Sequence, residues 1–503
     1  MTLTTVPRQT SFRFCLDPTV EQQTMLARHA GAARFAFNHS LAVVKTALAR
    51  RRRDPNSAVP WTGFDLLDHF NKWKKTADAG RLWAVDSAGV AELAEIGLIW
   101  RGEVVQQVFE EAAKDCAAAL DGWSASRRGT RRGKRVGFPK FKKKATAAPS
   151  FRLRNKHSKN GIARIRIGEQ HPRSVTLPQI GVLRVHDDTR RLCRLLDKGR
   201  ARILFATITF RAHRWWISIN VEAADLHPAQ QHPARPTDDH TGWVGVDVGL
   251  SAFVVVATVD GHEVARESNP PKALAAGVPR LRILSKKLSR KQKGSKNRRE
   301  AATQLARHHH HIANVRKHYL HKVTNGLVKT HDRIVIEILN IAGMLRNRYL
   351  SRAIGDAGWG EFARQLRYKA NWRGAQIASA PRWFPSSKTC SNCGRVDPDL
   401  SLADRVYRCR RCGLAIDRDL NAAINLARWG TRQNENQIRT PDPQVGGRVT
   451  NAHRRPDLPR HPARDTATGS NDVGTDSPPA SAGRTRRSPR RAVSAQHQLS
   501  DTL

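Results

Sequence analysis

The chain has 503 residues, room for roughly two to four domains, and a formal net charge of +45 from 88 Lys and Arg against 43 Asp and Glu. So large a basic excess points to a polyanionic partner, nucleic acid before any other. No run of about eighteen apolar residues and no signal-peptide pattern is found, which argues against a membrane partner and makes a soluble, cytoplasmic protein the expectation.

Ser11–Leu16 alternates like a short strand, and Asp17-Pro18-Thr19 turns the chain into a helix. Thr19 and Gln22 form a capping box, and Leu26, Ala30, Ala33, Phe37, Leu41 and Val44 recur at helical spacing. The pattern predicts a helix of about two dozen residues, ending at the arginines of 50–53. Further helices are predicted at Asp65–Thr76 and Glu103–Trp123. From Arg127 to Lys144 the chain reads RRGTRRGKRVGFPKFKKK, without one acid and with Phe138 and Phe141 interleaved, so phosphate contact is favoured over a merely solvated face. Strand-like segments at Ile162–Ile167, Ser174–Leu177, Val182–Val185, Ala206–Phe210 and Trp215–Val221 predict a small antiparallel barrel or sheet. Of the adjacent Trp215 and Trp216 one must face inward, and the other is placed to stack on a base.

After a proline-rich linker the composition turns apolar. WVGVDVGL, AFVVVAT and HEVA predict three strands, the first interrupted by Asp247. A carboxylate there is costly unless it sits at a polar edge or binds a cation. Arg280–Lys329 is a long basic helical region; its consecutive His308–His311 point in different directions and cannot share one ion, so they read as a polar, partly cationic face toward nucleic acid. RIVIEIL is a second buried-type strand with a lone acid, Glu337, and a basic helix at Phe362–Trp372 leads into a short strand at Gln376–Ala380.

Cys390 and Cys393, a gap of fifteen residues, then Cys409 and Cys412 give the CxxC…CxxC spacing of a zinc ribbon. Gly394 and Gly413 let the backbone fold round a tetrahedral ion, and four thiolates close its coordination sphere, so this Zn²⁺ is expected to be structural. The other cysteines of the seven, Cys15, Cys116 and Cys193, are far apart and fit a reducing compartment. Asp417, Arg418 and Asp419 open a helix. An aspartate there is an N-cap unless other carboxylates join it. Asp247, Glu337 and Asp417 or Asp419 stand in the order of a ribonuclease-H-like nuclease core. Three converging acids require Mg²⁺ or Mn²⁺, and two such ions support in-line phosphodiester hydrolysis.

GVDVGL, VIEILNIAGM, SSKTCSNCG, CRRCG and DRDLNAAINLARWG resemble the split RuvC motifs and zinc ribbon of the TnpB family, insertion-sequence-associated nucleases related to small type V CRISPR effectors. FRFCLDPTVEQQ, GAARFAFNHSLA, FPKFKKK, TLPQIGVLRV, KGSKNRR and RKHYLHK extend the resemblance over roughly the first 430 residues. It implies an α+β multidomain protein: an RNase H-like (RuvC) α/β nuclease core with a zinc-ribbon insert, a β-barrel wedge domain and a helical recognition lobe. The implied boundaries are 1–18 and 126–222 for the wedge, 19–125 for the recognition lobe, 223–242 for the linker, 243–386 for the first RuvC part, 387–415 for the ribbon, 416–430 for the last RuvC helix and 431–503 for a disordered tail. The implied activity is RNA-guided, metal-dependent endodeoxyribonuclease, with a noncoding guide RNA and double-stranded target DNA as partners.

Carried over, Asp247, Glu337 and Asp419 are catalytic and bind the Mg²⁺ or Mn²⁺, while Cys390, Cys393, Cys409 and Cys412 bind Zn²⁺. Asp419 is preferred because it stands two residues before Asn421 of the Asp-x-Asn-Ala motif, with Asp417 in reserve. Ile338 follows Glu337 where many relatives have an acid; on a strand it faces away from the site. The alternatives are a guided DNA-binding repressor that has lost cutting, against which an intact acid trio argues, and a CRISPR-associated type V effector.

Overall fold

The computed structural model describes residues 8–439 except 88, 132, 159, 225–227, 237–238 and 402. The tail expected to be disordered lies outside the described residues beyond 439. Before that point it is helical.

In the first half, β1 (Arg8–Asp17) leads into α1 (Val20–Arg51), followed by α2 (Gly63–Trp73), a hairpin of β2 (Arg81–Val85) and β3 (Ala91–Ile96), and α3 (Gln107–Arg127). The capping box forms as predicted: the Thr19 hydroxyl accepts from the Gln22 N–H, and the Gln22 side chain accepts from the Thr19 N–H at 3.1 Å. Helix α1 runs 32 residues, longer than expected, because Arg50 and Arg51 form its last turn, where cations complement the free carbonyls. The segment from Ile99 to Glu103 is a tight 3-10 turn, so α3 starts later than predicted. Helical periodicity missed β2 and β3, a hairpin with most residues exposed on both faces.

Next come β4 (Ser150–Arg154), β5 (Arg166–Ile167), β6 (Ser174–Leu177), β7 (Gly181–Val185), α4 (Arg190–Asp197), β8 (Ala201–Arg211) and β9 (Arg214–Ala223). They form a seven-stranded sheet in the order β4-β8-β9-β1-β7-β6-β5, antiparallel throughout. Its centre is β1, which pairs with β9 up to Cys15 and with β7 at Leu16 and Asp17. One apolar core joins the sheet to the helices, including Phe14, Leu26, Phe37, Phe109, Leu153 and Ile217. Trp215 is buried in that core. Trp216 is half-buried, with Arg13 4.4 Å over its ring and His310 packed beside it at 5.0 Å.

The second half contains β10 (Trp243–Asp247), β11 (Val254–Thr258), β12 (Glu263–Glu267), α5 (Ala273–Ser289), α6 (Lys296–Thr330), β13 (Arg333–Glu337), α7 (Ile341–Met344), α8 (Ser351–Ala357), α9 (Trp359–Arg373) and β14 (Gln376–Ala380). A small hairpin of β15 (Val406–Arg408) and β16 (Ala415–Asp417) then precedes α10 (Arg418–Arg439), which runs past the expected end at Gly430. The sheet order is β12-β11-β10-β13-β14, with β10, β13 and β14 parallel and β11 and β12 antiparallel. Alternation sorts the two faces. Val244, Val246, Ile334 and Ile336 pack on α6 and α9, whereas Trp243 and Val335 meet Leu426 of α10. The histidine run is partly turned inward: His308 Nε2 lies 3.2 Å from the Gly277 carbonyl oxygen, and His310 covers Trp216.

Candidate active site and metal centre

Asp247 and Glu337 end two parallel neighbouring strands. Trp243 to Val246 pair in step with Arg333 to Ile336, so the next residues, Asp247 and Glu337, stand side by side at the carboxyl ends. Sheets of this kind place ligands beyond those ends. Both acids share a face with Trp243, Gly245 and Val335, the face covered by α10.

The approach of α10 depends on Gly245. A Cβ there would lie 1.9 Å from the Ala423 carbonyl oxygen and 2.7 Å from Leu426 Cβ. At the far end, a Cβ on Gly430 would meet Val335 Cγ2 at 2.5 Å. Helix and sheet thus touch backbone to backbone, which brings the first turn of α10 to the acidic end of β10. Asp419 Oδ2 sits 3.7 Å from where a Cβ on Gly249 would be.

The two aspartates separate cleanly. Asp417 Oδ1 accepts the Leu420 N–H at 2.9 Å and pairs with Arg266 at 3.1 Å, with its side chain 43% exposed: it is the helix cap. Asp419 is 14% exposed and lies 3.5 Å from Arg418. The Asp247 carboxyl is held well above the usual range, first by burial and then by the charges of Glu337 and Asp419, with Arg418 opposing. Burial raises Glu337 too, against a hydrogen bond donated by Ser386. The acids are coupled, but they do not converge as tightly as the cysteines.

Those four sulfurs lie within 4.8 Å of one another, and among the described residues they are the group of this closeness. Each CxxC forms a turn: Gly394 N–H reaches the Cys390 carbonyl at 2.9 Å and Gly413 N–H reaches that of Cys409 at 3.0 Å. Both glycines have φ in the left-handed region, 73° and 74°. Sulfurs from opposite turns interleave, Cys390 with Cys412 at 3.6 Å and Cys393 with Cys409 at 3.5 Å.

Sequence reasoning missed the links between the two centres. Ser386, five-percent exposed, donates to Glu337 Oε1. Asn425 Nδ2 holds the carbonyls of Ser386 at 2.8 Å and Thr389 at 2.7 Å; Asn421 donates to Thr389 and accepts the Ser391 N–H at 2.9 Å. The segment entering the ribbon is therefore clamped to the helix that carries Asp419. A signal was present: two asparagines four apart on an otherwise apolar helical face, both buried here.

A family profile described as "Probable transposase", IS605 OrfB, matches residues 220–348; "Cas12f1-like, TNB domain" matches 359–426 and "Helix-turn-helix domain" matches 8–53. That last stretch is a strand and one continuous helix in this chain. The "Putative RNA-guided DNA endonuclease Rv2885c" of Mycobacterium tuberculosis is 37% identical over 426 residues, covering 83% of this chain and 86% of that protein. The "Putative RNA-guided DNA endonuclease InsQ" of Escherichia coli is 27% identical, covering 84% and 92%. Among solved structures, a Cas12f1-sgRNA-target DNA complex is similar at a TM-score of 0.46 and 13% identity, covering 84% of this chain and 99% of that one. Identity of 37% over most of both chains makes the protein a member of the IS605 OrfB (TnpB) family.

Proposed function

We propose that this chain is an RNA-guided DNA endonuclease that hydrolyses phosphodiester bonds with Asp247, Glu337 and Asp419 as its catalytic acids. What supports the reading is that Asp247 and Glu337 end adjacent parallel strands and that Asp247 feels the charge of both Glu337 and Asp419, the latter from the start of α10. Their environment fits hard divalent cations. Burial and mutual repulsion disfavour charge on Asp247, the neighbouring cation is Arg418, and all three acids offer oxygen ligands. Mg²⁺ or Mn²⁺ bound there supplies activation of water and neutralisation of charge at the scissile phosphate. The chain's own residues fix that arrangement: Ser386 orients Glu337, Gly245 sets the depth of α10, and Asp417 caps the helix so that Asp419 faces the sheet. The four cysteines hold a structural Zn²⁺.

In this reading the seven-stranded sheet is the wedge, α1 to α3 form the recognition lobe, and the 243–386 and 416–439 segments form the RuvC core interrupted by the ribbon at 387–415. Guide RNA and target DNA account for the +45 charge. The test is to purify the protein from its native locus, sequence the RNA that comes with it, and challenge the complex with matched DNA carrying randomised flanks in Mg²⁺. A bound noncoding RNA and flank-dependent cleavage are expected, with cutting but not RNA lost in Asp247→Ala. Tight guided binding without cutting by the wild type would establish the repressor alternative instead.

A further inference from the structure

The C-terminal ends of α1 and α3 and the basic loop after α3 frame a pocket of about 520 Å³, lined by Lys45, Leu48 and Arg51 of α1, Arg52 just past its end, Trp123 and Arg127 of α3, and Phe138. Its volume falls within the ~300–1,000 Å³ of small-molecule sites. The floor is aromatic: Phe138 packs edge-on against Trp123 at 5.0 Å, with Trp61 behind at 6.2 Å. The rim is cationic, with no acid among the lining residues, and none of its four cations is in a salt bridge among the described residues. Arg127 hovers 5.5 Å over the Trp123 ring, and Lys45 lies 4.4 Å over Phe141.

Part of this has a structural explanation, since a cation in the last turn of α1 complements its carbonyl end. That accounts for Arg51. It does not account for Lys45 a turn and a half earlier, for Arg127 on another helix, or for an apolar concavity left open between them. Aromatic floor and cationic rim together match a nucleotide: a π-face to stack and a phosphate on either side. A paired base cannot enter a concave pocket without leaving its stack.

We infer that this pocket binds an unpaired nucleotide, its base against Trp123 and Phe138 and its flanking phosphates on Arg51, Arg52 and Arg127. The inference rests on the reading that the chain works on nucleic acid. The base could come from the bound RNA or from an unpaired DNA strand, and the chemistry is shared.

The test uses the full chain as Asp247→Asn, assembled with its co-purified RNA sequence and matched DNA. Thiouridine replaces uridine in the RNA in one arm, and thiothymidine replaces thymidine in either DNA strand in the others. After near-ultraviolet irradiation and digestion, a crosslink on the peptide carrying Trp123 or Phe138 is expected in one arm, which names the source. Crosslinks confined to other peptides in every arm overturn the proposal. Because Trp123→Ala could loosen the helical bundle, the second variant is the exposed pair Arg51→Ala with Arg52→Ala. Its melting midpoint should fall only slightly, by the helix-end contribution of Arg51, while the log–log salt slope for single-strand binding falls by roughly 1.4, from about 0.7 per phosphate contact. An unchanged slope overturns the proposal. Cleavage by the wild type, run in parallel, keeps the readings distinct: crosslinks without cutting leave the pocket standing and remove the nuclease, and cutting without crosslinks does the reverse.

Discussion

The cysteine cluster and the proposed carboxylate cluster are two candidate metal sites a few residues apart in sequence at their nearest point, yet they are built in opposite ways. Each pair of cysteines is placed by one tight turn, so local backbone geometry gathers the sulfurs within 4.8 Å. The carboxylates come from positions 247, 337 and 419, and their relative placement depends on a sheet register and a helix packing. The first arrangement has the donor set and closeness that suit a closed tetrahedral site, whereas the second stands at strand ends with burial opposing its charge.

The comparison breaks most sharply at Asp247. Asp247→Asn should lower cleavage by well over ~100-fold, because losing even a group that only orients a metal ligand costs ~10–100-fold. The same variant should be more stable than wild type in divalent-free buffer near neutral pH. The sign follows from the raised carboxyls of Asp247 and Glu337: both bind protons more tightly folded than unfolded. Their favourable contribution is complete below the unfolded values of about 4 and is lost as pH climbs through the folded ones. Thermal melting against pH should therefore show wild-type stability declining upward from about pH 4, with Mn²⁺ reversing the decline in wild type but not in Asp247→Asn. A variant no more stable than wild type would mean the acids are solvated and uncoupled.

An intermediate effect is expected at the other cluster. Cys390→Ser should reduce bound zinc and expose the 386–414 segment to hydrogen exchange, since such sites fold with their metal. Cleavage should fall as well, because the clamp from Asn421 and Asn425 to Thr389 and Ser391 borders that turn. Full cutting by a zinc-free variant would show that the two centres are independent.

The smallest change is Ser386→Ala, which removes the hydroxyl from Glu337 and leaves both clusters intact. A loss of ~10-fold in cleavage is expected, together with weaker Mn²⁺ binding by calorimetry and an upward shift of the pH profile, as Glu337 loses a donor that favours its charged form. Ser386→Thr should restore much of it. A profile that does not move would reduce Ser386 to packing.

Legibility in the sequence followed range of interaction. The capping box at Thr19, the strand Gln376–Ala380 and the CxxC turns are written in adjacent residues, and the structure has them as read. Segments whose form depends on distant partners were misread. Strands β2 and β3 fall between the predicted helices, where the sequence pattern assigns no element, and the predicted strand Ile162–Ile167 shrank to Arg166–Ile167. The partial cover of Trp216 by His310 was not legible either, because that histidine arrives from α6, far along the chain.

By itself the sequence determined which residues carry charge, which turns bind sulfur round an ion, and which strands hold a lone acid, because each is a property of neighbours along the chain. Tertiary structure alone decided that Asp417 caps the helix and pairs with Arg266, that Gly245 admits α10 to the sheet, and that Ser386 reaches Glu337. Those outcomes turn on contacts of about 3 Å between segments brought together only by packing, and residue order does not encode such distances directly.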